Sequence, residues 1–145
     1  MIATAARLLD SRLGRLAVQF GKFGLVGVVG LMVDTAVLYA VLYGLGLEFF
    51  AARIPSFLAA ATATWALNRA FTFRHHSDDT PLHRQWAAFV IANALGGVIN
   101  YAVSVALEAG VDMVAAHPFL AVAAGSIAGM FFNFAASKRL VFKGA

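Results

Sequence analysis

Trp65-Ala66-Leu67-Asn68-Arg69-Ala70-Phe71-Thr72-Phe73 closes one membrane-length apolar stretch of this chain. Phe134-Ala135-Ala136-Ser137-Lys138-Arg139-Leu140-Val141-Phe142 closes another, 69 residues later. Each runs from an aromatic, through a polar residue and a cation, to a final phenylalanine. Two echoes at the same end of two apolar stretches predict a duplicated pair of membrane helices. They also concentrate polar chemistry at one membrane surface.

Composition agrees with a membrane class. Of 145 residues, 61% are hydrophobic and only 12% are Asp, Glu, Lys or Arg. A soluble domain of this size needs far more charged surface. The mean hydropathy is +0.81. No soluble catalytic domain is expected within these 145 residues beside the membrane domain. Cysteine is absent, which excludes disulfides and cysteine-based metal sites.

The apolar pattern predicts an all-α membrane protein with four transmembrane helices, at about 23–46, 52–72, 85–108 and 117–138. Each can cross a hydrocarbon core of ~30 Å, which takes roughly 20 helical residues. The first stretch, Phe23 to Leu47, is longer than a signal-peptide core and is expected to stay as a span. Gly44-Leu45-Gly46-Leu47-Glu48 reads as a short turn, and Glu108 to Asp112 as a break. Thr80 is the expected cap of the third helix, with Pro81 in its first turn, and His117-Pro118 starts the fourth.

The net charge of +4 is read by position. Arg7, Arg12, Arg15 and Lys22 precede the first span; Arg69, Arg74 and Arg84 lie between the second and third; Lys138, Arg139 and Lys143 follow the fourth. The opposite side carries only Arg53, among Glu48, Glu108 and Asp112. The positive-inside rule therefore predicts a multi-pass cytoplasmic (inner) membrane protein with both termini cytoplasmic. Residues 1–20 read as an interfacial amphipathic helix and residues 21–145 as the four-helix domain. Ile2, Ala6, Leu9, Leu13, Leu16 and Phe20 share one face of that first helix, and Arg7, Ser11, Arg15, Gln19 and Lys22 another.

The duplication extends beyond the echoes. At an offset of 66, Phe20 falls on Trp86, Phe23 on Phe89, Gly30 on Gly96 and Asp34 on Asn100. Two spans per unit make this a parallel repeat, with a pseudo-two-fold axis along the membrane normal.

Phe20-Gly21-Lys22-Phe23-Gly24-Leu25-Val26-Gly27 with Asp34, Asn68 through Phe73, and Asn133-Phe134 through Phe142 together resemble the GtrA-like family of small four-span membrane proteins. That family is similar to the membrane domain of some polyprenyl-phosphate mannose synthases. The resemblance covers roughly residues 18–143. One departure is Thr64-Trp65, where the family often has Asn-Phe, as at Asn133-Phe134. The resemblance implies work in cell-surface polysaccharide or glycolipid assembly. It implies either flipping of a polyprenyl-phosphate-linked sugar, or non-catalytic support of a membrane-associated glycosyltransferase.

The candidate residues follow from that substrate class. Arg69, Lys138 and Arg139 are candidate phosphate ligands, since Arg offers a fork of donors and Lys a point charge. Asn68, Ser137 and Asn133 are candidate partners of phosphate oxygens or sugar hydroxyls. Trp65, Trp86 and Phe134 are candidate stacking or isoprenoid-flanking groups, together with Phe71 and Phe73. Interfacial anchoring is the competing explanation for all of these. Asp34, Asn93, Asn100 and Thr64 are candidates for a polar path. Asp34 sits about 17 Å into its span, where an acid needs a partner, a proton or polar surroundings. Thr62, Thr64 and Asn100 are its expected partners if it is structural.

Glycines 21, 24, 27 and 30 read as a helix-packing stripe, and Gly125-x-x-x-Gly129 as a small-residue contact within one subunit or in a homodimer. His75, His76, Asp78, Asp79 and His83 read as a solvated connector rather than a metal site. With no nucleophile–base arrangement and no Walker loop, the chain is expected not to be an enzyme. No cofactor or nucleic-acid partner is expected; membrane lipids are.

Overall fold

The computed structural model describes residues 1–76 and 78–144, and their side chains apart from positions 8, 9, 49, 50, 101, 104, 108, 118, 119 and 121–123. The described residues are helical with short connectors. α1 spans Ile2–Asp10, α2 Arg12–Tyr39, α3 Phe49–Leu67, α4 Leu82–Gly110, α5 Asp112–Ala116 and α6 Pro118–Ala136. α2, α3 and α6 each run on into a π-helical turn, at Ala40–Gly44, Asn68–Thr72 and Ser137–Val141. Among the described residues, Arg12–Gly44 and Leu82–Leu107 are long and apolar enough to cross a membrane, with mean hydropathies of 2.2 and 1.7 over an 18-residue stretch of each.

The chain divides into two units, Met1–His76 and Ser77–Gly144, at the boundary of the sequence repeat. In the first, α2 packs on α3; in the second, α4 packs on α6. The pairing within each unit is antiparallel. In the first, Phe23 meets Phe73 with ring centroids 6.2 Å apart, while further along α2 Asp34 meets Arg53. In the second, Phe89 meets Phe142 at 6.1 Å, while further along α4 Gly96 faces Asn133. The ring pairs are tilted by 57° and 61°, and their positions obey the 66- and 69-residue offsets read from the sequence. Gly30 against Thr64 and Gly96 against Asn133 obey the same offsets. Each unit thus carries one ring pair and one glycine contact at matched positions.

Several local expectations shift. The expected helix over 1–20 breaks at Ser11, whose backbone is extended (φ −65°, ψ 156°) and whose Oγ accepts from Gly14 N–H at 3.0 Å. α1 is therefore separate, and residues 12–20 continue directly into the long apolar helix. Pro81 rather than Thr80 precedes α4, because the Thr80 hydroxyl is committed to Asp78. Pro118 does open α6, where its missing N–H costs nothing. The turn at 45–48 contains Gly46 at φ 68°, a left-handed backbone that suits glycine. The break after Gly110 holds the short α5, whose five residues are too few for the periodicity to reveal.

The glycine stripe on α2 is mostly not a packing surface within its unit. A methyl group built on Gly21 or Gly27 would meet nothing within 4 Å, whereas one on Gly30 would strike Thr64. In α6, a methyl on Gly129 would lie 2.9 Å from the Gly96 carbonyl oxygen and 3.2 Å from Asn100 Cβ. Gly129→Ala should therefore push α4 and α6 apart and lower stability by about 1–3 kcal/mol. Gly27→Ala should be neutral or stabilising, by up to about 1 kcal/mol, through helix propensity. Thermal unfolding in detergent micelles compares the two.

Candidate functional site: two polar rims closed by π turns

Each rim is built from the end of one helix and the start of its neighbour. α3 could simply have stopped at Leu67. Instead the chain widens into the π turn, and Phe73 N–H donates to the Asn68 carbonyl, five residues back, at 2.8 Å. Phe142 N–H donates to the Ser137 carbonyl in the same way at 2.7 Å. π turns inserted at helix ends recur at functional sites. Here they turn Phe73 and Phe142 inward to full burial while Asn68 and Ser137 are also enclosed, at 1% and 0% exposure.

In the first unit no buried side-chain polar atom of the described residues lacks a partner. Thr72 Oγ1 donates to Asn68 Oδ1 at 2.7 Å, and Thr64 Oγ1 to the Ala61 carbonyl at 3.1 Å. Arg69 is half-buried on the π turn. Lys22 Nζ lies 4.9 Å from the centroid of the Phe71 ring, a cation–π distance. That contact adds Lys22 to the rim. Sequence reasoning used Lys22 only as an orientation signal, since its proximity to the 68–72 turn depends on helix pairing.

The second unit is different. Thr72 is replaced at the 69-residue offset by Val141, which cannot bond Ser137. The Ser137 hydroxyl is buried without a hydrogen-bond partner, and so is Asn133 Oδ1, one turn earlier on the face that covers Gly96. Lys138 is half-buried beside them, and Arg139 is exposed. Such orphan polar atoms are uncommon in finished structures and invite a bound ligand or water as explanation. Trp65 in the first unit and Trp86 and Phe134 in the second are all half-buried, as suits groups with one apolar flank and one open edge.

The residues of the expected polar path are divided between the two units. Asp34 and Thr64 belong to the first, Asn93 and Asn100 to the second. Asn93 Nδ2 donates to the Phe89 carbonyl of its own helix at 2.9 Å. Asn100 packs its Cβ toward Gly129. Ser104, which shares their sequence face, lies outside the described side chains. Within its unit Asp34 takes neither Thr62 nor Thr64, whose hydroxyls donate to carbonyls of their own helix. It accepts from Arg53 at 2.8 Å, across α2 and α3. Arg53 was the lone cation expected on the other membrane side; its reach along the helix pair is not visible in spacing. No group of three or more metal-ligating side chains occurs among the described residues, and His76 Nδ1 lies 2.8 Å from the Phe73 carbonyl.

A helical chain with apolar helices of this length and polar, cationic helix ends defines a membrane-embedded domain. A sequence model described as the GtrA/DPMS transmembrane domain matches residues 22–143, and the chain belongs to that family. No significant match to a curated protein was found. Family membership ties the chain to lipid-linked sugar and polysaccharide processes.

The contrast between the rims gives a test. Asn68→Ala should cost about 1–3 kcal/mol, because it strips Thr72 of its buried partner. Ser137→Ala removes an unpaired buried hydroxyl and should leave stability unchanged or raised. If Ser137→Ala instead destabilises as much as Asn68→Ala in a denaturation series, the hydroxyl is already paired.

Proposed function

We propose that the chain is a four-span domain of two parallel-repeated helix hairpins that flips a polyprenyl-phosphate-linked sugar across the cytoplasmic membrane. Both rims face the cytoplasm in this reading, following the distribution of basic residues. The observation that carries it is the second-unit rim: unpaired Ser137 Oγ and Asn133 Oδ1 beside Lys138 and Arg139, in a chain of the GtrA/DPMS membrane family. Lys138 and Arg139 attract and hold the phosphate at the second rim, and Arg69 does so at the first, with charge-assisted bonds that strengthen away from bulk water. Ser137 and Asn133 complete their hydrogen bonding with a phosphate oxygen or a sugar hydroxyl. The satisfied first rim, with Asn68 already bonded to Thr72, is the weaker binder of the two.

The isoprenoid never has to leave lipid. Exposed Leu25, Val28 and Leu31 on α2, and Ile91, Leu95 and Val98 on α4, give it apolar surface to follow. Only the head group needs shielding, so a laterally open groove suffices. Without an ATP site, net movement follows the substrate gradient, consumption on the far side or ion coupling.

A second reading has support in the family description itself, which joins GtrA proteins with a synthase-associated membrane domain. In it the chain recruits or steadies a polyprenyl-phosphate glycosyltransferase and moves nothing. Reconstitution in liposomes separates the two. Flipping predicts protein-dependent exposure of a labelled polyprenyl-phosphate sugar, slowed about tenfold or more by Lys138→Gln with Arg139→Gln. No exposure, with restored synthase activity on co-reconstitution, would favour the partner role.

A further inference from the structure

The Asp34–Arg53 pair lies at the opposite end of the first unit from its polar rim. Sixteen residues separate Arg53 from Arg69. At about 1.5 Å per residue that is roughly 24 Å, most of the ~30 Å hydrocarbon thickness. If Arg69 stands at one headgroup layer, Arg53 is close to the other.

Its environment differs from that of a buried structural ion pair. The Asp34 side chain is 19% exposed, but that of Arg53 is 42% exposed. The recorded bond to Asp34 uses Nη1 alone, and a guanidinium carries five N–H donors in a rigid fork. The exposed side borders an open groove lined by Arg53, Ile54, Phe57 and Leu58. A cation at the rim of an apolar groove matches one kind of molecule in a membrane: an anionic head group with a hydrocarbon chain. Phosphate suits the fork, and the chain suits Ile54, Phe57 and Leu58.

Building on the flipping reading above, we infer that Arg53 is a second phosphate site, which receives the polyprenyl-phosphate carrier at the membrane side opposite Arg69. Asp34 is the built-in competitor. It holds Arg53 in place and neutralises it while the site is empty. An arriving phosphate takes over the outward-facing donors and draws the guanidinium from Asp34 toward the groove. The exchange keeps Arg53 compensated in both states, which a cation near hydrocarbon requires. It also favours release, since the carboxylate stands ready to displace the phosphate.

The experiment uses the full chain in nanodiscs with a photoactivatable polyprenyl phosphate as probe. Adducts are mapped by mass spectrometry. Wild type should be labelled on residues 54–58 and at the rims. Arg53→Gln, and the charge-neutral double variant Asp34→Asn with Arg53→Gln, should each lose groove labelling about tenfold or more. The double variant leaves no unpaired charge, so its loss would not reflect misfolding. Asp34→Asn alone should raise groove labelling, because the competitor is gone. Arg69→Gln with Lys138→Gln should lower rim labelling and leave the groove labelled at equilibrium. Rim adducts without groove adducts would overturn this inference and leave the flipping reading standing. Equal losses for Asp34→Asn and Arg53→Gln would reduce the pair to a structural clasp. Equal competition by phosphatidylglycerol would overturn the assignment to the polyprenyl carrier. Absence of adducts anywhere would remove both this site and the rim.

Discussion

Each helix pair depends on one backbone hydrogen bond that skips five residues instead of four. The bonds from Phe73 to Asn68 and from Phe142 to Ser137 end α3 and α6 in a widened turn. An ordinary helix end would leave its last carbonyls open and carry the following aromatic outward. The π turn instead drives Phe73 and Phe142 into the pair, against Phe23 and Phe89. Such tilted ring pairs contribute about 0.5–1.5 kcal/mol each. Their larger consequence is positional. By burying the residue five places before each phenylalanine, the turn fixes the next residue, Arg69 or Lys138, at the helix end.

The same constraint divides the polar residues into settled and unsettled ones. Away from water, an unpaired polar group is expensive, so several of the described polar side chains bond to their own helices. Thr35, Thr62, Thr64 and Asn93 all donate to a carbonyl three or four residues back. Asp34 cannot do so, being an acceptor, and draws Arg53 across from the neighbouring helix. Ser137 Oγ and Asn133 Oδ1 are among the buried atoms that lack a partner, and both lie in the second unit. The two units share a frame and differ in chemistry, because Val141 stands where Thr72 does.

Much of this frame was legible in the sequence. The offsets of 66 and 69 residues predicted which phenylalanines and which glycine faces would correspond, because duplication preserves contacts along with residues. Four helical segments and the turn at Gly46 also followed from apolar length and turn chemistry. What escaped was whatever depends on side chains meeting across helices. Asp34 and Arg53 are nineteen residues apart with no periodic relation, so spacing offered Thr64 or Asn100 as readily. The break at Ser11 escaped too, because the amphipathic stripe continues through it while the hydroxyl caps a new helix. The glycine stripe packs only in part: Gly30 faces Thr64, whereas Gly21 and Gly27 have nothing within 4 Å of an added methyl.

The account rests on both rims lying at the same membrane surface, as a parallel repeat requires. The absence of cysteine makes that directly measurable. Arg74→Cys, Lys143→Cys, Leu47→Cys and Asp112→Cys, made one at a time, place a thiol at an exposed position beyond the end of a long helix, the last of them at the first residue of the short α5. Each is probed with a membrane-impermeant maleimide in intact cells and in inverted vesicles. Positions 74 and 143 should react only in inverted vesicles, and positions 47 and 112 only in intact cells. Reaction of positions 74 and 143 from opposite sides would contradict the parallel repeat, and with it the proposal that each rim meets phosphate on the cytoplasmic side.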